Sequence, residues 1–226
     1  MCENRISMKK CLYLSEKNNK RKIASWAIAC RSVQKRRIAP DFARAALLIV
    51  DMQRYFLDEK SHAFVPTGAA ILPNVQSMRR LFSNGNRPVI FTRFAVRQGE
   101  RDPVGGFWGS TVREGSRESS IVGALAPQTS EKVIRKISYS SFHGTDLEEY
   151  LSMRGVKNLV ITGLLTHLCC EEAAREAFAR GFQVFFVIDA TASYNEEMHR
   201  ASIVSLSSGF VTPVTTADIV RSGSMR

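Results

Sequence analysis

The sequence predicts an α/β fold in which helices cover both faces of a mostly parallel sheet. Short apolar segments of strand length alternate with longer stretches that have helical spacing. The apolar segments are continuous, which is typical of strands buried on both faces. Because helical crossovers join such strands in the same direction, their carboxyl ends meet at one edge of the sheet. The fold class therefore also indicates where a functional site should lie.

Each element follows from the same alternation of apolar segments and amphipathic stretches. Strands are expected at residues 46–50, 88–94, 132–135, 158–162, 183–188 and 210–215. Helices are expected at residues 69–84, 146–154, 169–180 and 196–208. Glycines at positions 85, 155 and 181 end three of these helices, because glycine adopts the backbone conformation that closes a helix. Residues 95–128, rich in Gly, Arg and Ser, are expected to form a long functional loop with short helical pieces.

The positive charge of the 226-residue chain is concentrated in its first 40 residues. The formal net charge is +11, and residues 1–40 hold eleven basic but only two acidic side chains. Since the remainder is nearly balanced, the charge does not indicate a nucleic-acid-binding protein. We expect residues 1–40 to be a basic, disordered extension and residues 41–226 to form one domain. A transit peptide, a basic arm and a stretch translated from a misplaced start codon are the alternatives for the extension.

Several classes of protein are disfavoured by composition. No apolar run approaches the roughly 20 residues of a membrane span, so no membrane partner is expected. The five cysteines have irregular spacing and no Cys-x-x-Cys pair, which disfavours a disulfide scaffold and a structural zinc site. We therefore expect a cytoplasmic protein, with organellar targeting by residues 1–40 as the weaker alternative. The histidines are scattered without ligand spacing, so no metal and no cofactor are expected.

Three residues with chemical potential lie where predicted strands end. Asp51 follows the first strand, Lys136 follows the third, and a cysteine opens the helix after Gly163. A cysteine at a helix N-terminus next to a lysine should have a pKa below the ~8.5 of a free thiol, and a carboxylate nearby can accept its proton. Together these groups are the parts of an activated nucleophile. Taken singly, a capping Asp, a solvated Lys and a core Cys would be the ordinary explanations.

Three motifs resemble those of the isochorismatase-like cysteine hydrolases. They are residues 48–56 (LIVDMQRYF), residues 136–142 (KISYSSF) and residues 162–171 (TGLLTHLCCE). Their order and spacing match the family over about residues 45–220, and three motifs together are far more specific than one. The resemblance implies a three-layer α/β/α sandwich with a six-stranded sheet, a small-molecule substrate, and a homo-oligomer, either a dimer or a tetramer.

The resemblance also implies a role for each member of a triad. Asp51 would be the acid/base, Lys136 the orienting cation and Cys169 the nucleophile, since the family places its nucleophile six residues after the motif glycine. A cis peptide bond between Leu164 and Leu165 is implied as well. It would direct the backbone N–H groups of Leu165 and Cys169 towards one point, an oxyanion hole.

Substrate contacts are expected from Arg101, Phe107, Trp108 and Leu165. Residues 107–109 (FWG) resemble a segment that lines the substrate pocket of the isochorismatases proper, and Arg101 falls where those enzymes have a carboxylate-binding arginine. An arginine suits a carboxylate because its fork donates two parallel hydrogen bonds. The alternative is that Arg101 lies in a basic, mobile loop. Residues 91–108 contain no histidine for the metal that some members of the family bind.

Three functions remain open at the level of sequence. Cys169 favours the amidase branch, which would cleave a C–N bond of a small carboxylate-bearing amide or ureido compound through a thioester. The vinyl-ether-cleaving isochorismatases usually have glycine at this position and use the aspartate, here Asp51, as a general acid. Residues 107–109 and the DMQRYF sequence favour that branch. A non-catalytic binding protein is the third alternative, but it predicts a broken triad, and all three residues are present.

Overall fold

A parallel sheet organises the molecule. The computed structural model describes residues 9–223, and within this range the sheet has six strands in the order β3-β2-β1-β4-β5-β6. The strands are β1 (Ala45–Val50), β2 (Val89–Phe94), β3 (Lys132–Lys136), β4 (Asn158–Leu164), β5 (Gln183–Ala192) and β6 (Thr212–Val214). All neighbouring strands pair in parallel, and the predicted fold class is confirmed.

Two groups of helices cover the sheet. The helices are α1 (Asn19–Val33), α2 (Arg54–Leu57), α3 (Gly68–Asn84), α4 (Pro103–Trp108), α5 (Leu147–Met153), α6 (Glu171–Ala179), α7 (Glu196–Gly209) and α8 (Thr216–Gly223). Helices α3 and α8 pack against each other and on β5, whereas α7 packs on α1 and α6. All six residues of β1 are buried, as its continuous apolar sequence predicts. No helix within residues 9–223 is long and apolar enough to cross a membrane.

The order of the strands reverses at β1, which pairs with β2 on one side and with β4 on the other. Such a reversal opens a crevice at the carboxyl ends of the strands. Close packing of β1 and β4 depends on Gly163, because a Cβ atom there would lie 2.0 Å from the backbone oxygen of Val50. Asp51, directly after β1, has a φ angle of 46°, so the chain turns sharply at the end of this strand.

Some elements differ from the sequence-based expectation. Strands β4 and β5 continue to Leu164 and Ala192, and a π-helical turn, Thr166–Cys170, precedes α6. Helix α8 follows the last strand, where no helix was expected. The long loop contains α4 and a short 3₁₀ turn, Gly123–Leu125, as predicted in outline.

The expectation of a disordered extension is wrong for residues 9–40, while residues 1–8 lie outside the described range. Helix α1 buries Trp26 and Cys30, which lie four residues apart and therefore on one helix face. The indole Nε1 of Trp26 donates a 3.0 Å hydrogen bond to Glu196, and Lys22 forms an ion pair with the same carboxylate. The basic composition did not indicate this packing, because the basic side chains lie mostly on exposed faces while a few apolar residues hold the segment in place.

Candidate active site

The carboxyl ends of β1 and β3 and the turn after β4 bring Asp51, Lys136 and Cys169 together. The Nζ atom of Lys136 lies 2.8 Å from Oδ2 of Asp51 and 3.2 Å from Sγ of Cys169. All three residues are buried. Residues far apart in sequence thus form one compact cluster, at the sheet edge that the fold class predicts.

Hydrogen bonds fix the two charged members of the cluster. Thr92, on the neighbouring strand β2, donates its hydroxyl to Oδ1 of Asp51 at 2.7 Å and accepts the backbone N–H of Asp51 at 3.2 Å. Lys136 also donates to the backbone oxygen of Ser138 at 2.9 Å. Because Oδ1 is held by Thr92, Oδ2 is the carboxylate oxygen that faces the ammonium group.

The electrostatics of the cluster favour one buried ion pair and a neutral thiol. Burial disfavours the charged form of Lys136, but Asp51 and Cys169 outweigh this effect and raise the pKa of Lys136 above its ordinary value. Burial, followed by the charge of Asp51, raises the pKa of Cys169 well above its usual range, although Lys136 opposes the shift. This direction is opposite to the expectation of a thiol pKa below about 8.5, because burial outweighs the nearby lysine.

The π-helical turn that carries Cys169 is held from several sides. It follows a cis peptide bond between Leu164 and Leu165, as the resemblance implies. At its start, Thr166 hydrogen-bonds Nδ1 of His199 on α7 at 2.9 Å. His167 contacts Ser193 through a 2.8 Å hydrogen bond, and Ser202 of α7 donates a hydrogen bond to Glu171. The next residue, Cys170, is fully buried in the core.

An apolar pocket opens next to Cys169. Its walls are mainly aromatic and aliphatic: Tyr55, Phe56, His62, Ala63, Phe94, Val104, Trp108, Tyr139, Leu165, Leu168, Cys169 and Tyr194. Trp108 donates its indole N–H to the hydroxyl of Tyr139 at 2.6 Å, which ties α4 to the segment after β3. Two of the predicted substrate contacts, Trp108 and Leu165, thus lie in the wall of the pocket.

The other two predicted substrate contacts, Arg101 and Phe107, are not brought to this pocket. Arg101 is exposed, and the side chain of Phe107 is 79% exposed. Neighbouring residues on a helix point about 100° apart, so α4 directs Trp108 inward and Phe107 outward. Asp102 accepts a hydrogen bond from the backbone N–H of Gly105 and fixes the start of α4 just after Arg101.

Four lining residues that carry a phenol or an imidazole group were not proposed from sequence. Tyr55 and Tyr139 fall inside the quoted motifs, so the resemblance already contained a signal for them. His62 and Tyr194 lie in segments without a motif. Tyr55 and His62 contact each other through a 2.7 Å hydrogen bond between the phenol oxygen and Nε2. Over residues 9–223, no group of three or more His, Cys, Asp or Glu side chains is placed to hold a metal ion.

Comparisons with known proteins agree with this geometry. Residues 45–218 match the family model described as the isochorismatase domain. The chain is 35% identical over 196 residues to nicotinamidase 3 of Arabidopsis thaliana, which covers 85% of this chain and 95% of that protein. It is 33% identical over 169 residues to an isochorismatase of Bacillus subtilis (strain 168), covering 73% of this chain and 53% of the relative. The chain therefore spans about half the length of that isochorismatase.

The fold has a close counterpart among solved structures. A cysteine hydrolase from Pseudomonas syringae pv. phaseolicola 1448A superposes with a TM-score of 0.80 at 25% sequence identity. The match covers 85% of this chain and 97% of the other. Because nearly the whole of that protein is matched, the likeness includes the helical layers as well as the sheet.

Proposed function

This chain belongs to the isochorismatase family of hydrolases, and on that premise we propose that it cleaves a C–N bond through a thioester on Cys169. The proposed substrate is a small carboxylate-bearing amide or ureido compound. The observation that carries the proposal is the cluster itself, in which a cysteine thiol that lines an apolar pocket lies beside a buried Lys136–Asp51 ion pair.

Proton transfer to Asp51 starts the proposed reaction. Because the pKa of Cys169 is raised, the thiol is protonated in the free enzyme and needs a base at the moment of attack. Asp51 lies in the same cluster as this thiol and accepts its proton while Sγ attacks the carbonyl carbon of the substrate. The transfer leaves the buried cluster without a net gain of charge, since a proton moves between two of its members. Lys136 remains protonated and stabilises the developing thiolate.

The tetrahedral intermediate then collapses to the thioester. We assign stabilisation of its oxyanion to the backbone N–H groups of Leu165 and Cys169. The C–N bond breaks as Asp51 returns its proton to the leaving nitrogen, which departs as an amine or ammonia. Asp51 next accepts a proton from a water molecule that attacks the thioester. The C–S bond then breaks, the carboxylic acid is released, and Asp51 returns its proton to Sγ, which restores the Cys169 thiol.

Vinyl-ether hydrolysis is the second candidate. The 33% identical isochorismatase and the placement of Trp108 in the pocket wall favour it. In that reaction Asp51 would act as a protonated acid, so it would no longer form an ion pair with Lys136. Cys169 would take no part in the reaction. A Cys169→Gly variant separates the candidates, because it would retain vinyl-ether cleavage but lose amide hydrolysis.

The test begins with a substrate screen of nicotinamide, N-carbamoyl amino acids, maleamate and isochorismate. For the best amide, Cys169→Ala should lower kcat by at least about a thousandfold, since it removes the nucleophile. Intact mass spectrometry of the wild-type enzyme during turnover should detect the acyl group on Cys169. Cys170→Ala, which changes the adjacent buried cysteine, is the matched control and should retain turnover. A Cys169→Ala enzyme that hydrolyses the amide at the native rate would refute the proposal.

The proposal also includes an oligomeric state and a cellular compartment. We propose a homo-oligomer, either a dimer or a tetramer, as the family resemblance implies, and light scattering of the purified protein would measure its mass. We also propose a reducing compartment, the cytoplasm, since Cys11, Cys30, Cys169 and Cys170 are free thiols in the part of the chain described. Localisation of a tagged chain in a compartment that maintains disulfides would contradict this part.

A further inference from the structure

The segment before α1 crosses beside the pocket and is held there by backbone hydrogen bonds. Cys11 donates its backbone N–H to the backbone oxygen of Tyr194 at 2.9 Å. Thr67 accepts the backbone N–H of Tyr13 at 3.1 Å and donates its hydroxyl to the backbone oxygen of Cys11 at 3.3 Å. The segment is thereby fixed on both sides, which places the preceding residue, Lys10, at a defined position.

The side chain of Lys10 contacts two residues that line the pocket. Its Nζ atom donates a hydrogen bond to the backbone oxygen of His62 and lies 4.5 Å from the centre of the Tyr194 ring. Both His62 and Tyr194 line the pocket that opens at Cys169. An ammonium group at this distance from a ring face is attracted by the ring quadrupole, so both contacts favour the same position of the charge.

No carboxylate among residues 9–223 pairs with the charge of Lys10. The described lining of the pocket contains no Lys, Arg, Asp or Glu either. Partial burial lowers the pKa of Lys10. An ammonium group has three N–H donors, of which one is used by His62 and another faces Tyr194, so a donor remains for a ligand. A partly desolvated cation with a spare donor favours an anionic ligand.

We propose that Lys10 binds the carboxylate of the substrate at the mouth of the pocket, while the scissile carbonyl lies at Cys169. The inference rests on the proposed amide hydrolysis and supplies the anion contact that Arg101, exposed outside the pocket, does not provide. Lys10 also precedes the residues that the family model matches, 45–218. The N-terminal segment would therefore determine substrate specificity for a site whose chemistry lies in the domain.

The contact is made with a group of the substrate that does not react, which determines its kinetic signature. A charge that holds the carboxylate equally in the ground state and the transition state affects KM and leaves kcat little changed. The appropriate probes are maleamate and its neutral diamide, maleamide, which differ in whether the remote group is a carboxylate. Lys10→Met should raise KM for maleamate by about ten- to a hundredfold, with a much smaller change for maleamide.

Two variants control this experiment. Lys9→Met removes the same charge from an adjacent exposed residue, and it should leave the maleamate-to-maleamide ratio of kcat/KM at the wild-type value. Lys10→Arg keeps a cation and should retain most of the preference. If Lys10→Met lowers kcat/KM for both amides by the same factor, Lys10 only holds the segment in place and the proposal is overturned.

A binding measurement separates this proposal from the reaction it rests on. Calorimetry with maleate and the Cys169→Ala protein needs no turnover, and it should show binding that weakens about tenfold or more in Cys169→Ala/Lys10→Met. If that difference is found although wild-type enzyme hydrolyses no amide, the proposed function fails and the anion site stands. Maleate binding that is absent, or that is insensitive to Lys10→Met, overturns the anion site whatever the enzyme hydrolyses.

Discussion

The N-terminal segment, residues 9–40, leaves most of its charged side chains exposed, whereas the sheet edge with Asp51, Lys136 and Cys169 buries its charges. The segment is strongly basic, yet it attaches to the domain through Trp26 and Cys30 and leaves most of its charges exposed. The sheet edge buries both Lys136 and Asp51 completely and satisfies them with each other. Net charge therefore says little about which part of this chain packs, whereas the position of single apolar or paired residues decides it.

The two regions also gain stability differently. Removing a lysine and a carboxylate from water costs several kcal/mol per ion, and their attraction offsets this cost only while both partners are present. A buried indole contributes through the apolar area removed from water and needs no partner charge. Substitutions at the sheet edge should therefore lower both catalytic activity and the free energy of unfolding. Substitutions in the segment should lower mainly the free energy of unfolding.

The largest effect is expected from Asp51→Asn. The variant removes the proposed base and leaves Lys136 buried without its counter-ion, so kcat should fall at least about a thousandfold. The free energy of unfolding should fall by about 3–5 kcal/mol, as measured by urea denaturation. A double variant, Asp51→Asn/Lys136→Met, should recover much of this stability but none of the activity. Equal instability of the single and the double variant would show that the ion pair is not what holds this edge together.

The segment is tested by Trp26→Ala. Trp26 is 1% exposed and contacts the ring of His199 at a centroid distance of 4.6 Å. Its removal should lower the free energy of unfolding by about 3–5 kcal/mol, because truncating a buried aromatic residue leaves a cavity. Ile28→Ala, on the same helix but 68% exposed, is the matched control and should change stability by less than about 0.5 kcal/mol.

Deleting residues 1–40 should act in the same direction, with a marked fall in melting temperature. The sequence by itself predicts an extension whose removal leaves the melting temperature nearly unchanged. Retention of the full melting temperature by the truncated protein would restore that view and would also remove the basis for a defined position of Lys10.

The contrast between the regions explains what the sequence could and could not predict. Strand β1 was predictable because a fully buried parallel strand reads as one apolar run. The grouping of Asp51, Lys136 and Cys169 was predictable, because the ends of parallel strands meet at one sheet edge and three motifs mark these positions. Helix α1 was missed because its buried face consists of a few residues between basic clusters, and the surface that covers them, including His199, is distant in sequence. The contact of Lys10 with Tyr194 has no local signature for the same reason.

A smaller, pH-dependent effect is expected where the segment meets the domain. Burial lowers the pKa of His199 to about 3, although the backbone of Ile188 and the charge of Glu196 oppose the shift. Between pH 6.5 and 3 the unfolded chain therefore binds a proton that the folded chain does not. This contribution to stability is complete above about pH 6.5 and is lost as the pH falls towards 3.

His199→Gln removes this titration and can keep a hydrogen bond to Thr166. Urea unfolding at pH 6.5 and at pH 4 should show that wild type loses about 3 kcal/mol more than the variant between these values. An equal loss of unfolding free energy in both proteins would mean that His199 is protonated to the same extent in the folded and unfolded states.

The smallest effect is expected from Phe107→Ala, and it sharpens the comparison within the site itself. Phe107 and Trp108 are neighbours in a segment that resembles the pocket lining of isochorismatases, yet only Trp108 lies in the described pocket wall and bonds Tyr139. Phe107 contacts the edge of Trp108, with ring centroids 5.3 Å apart, and is otherwise exposed. Phe107→Ala should therefore change KM by no more than about twofold, whereas Trp108→Ala should raise it about tenfold or more. Melting temperatures of both variants would control for unfolding of α4. An equal rise in KM for the two variants would show that α4 turns its outer face towards the substrate during turnover.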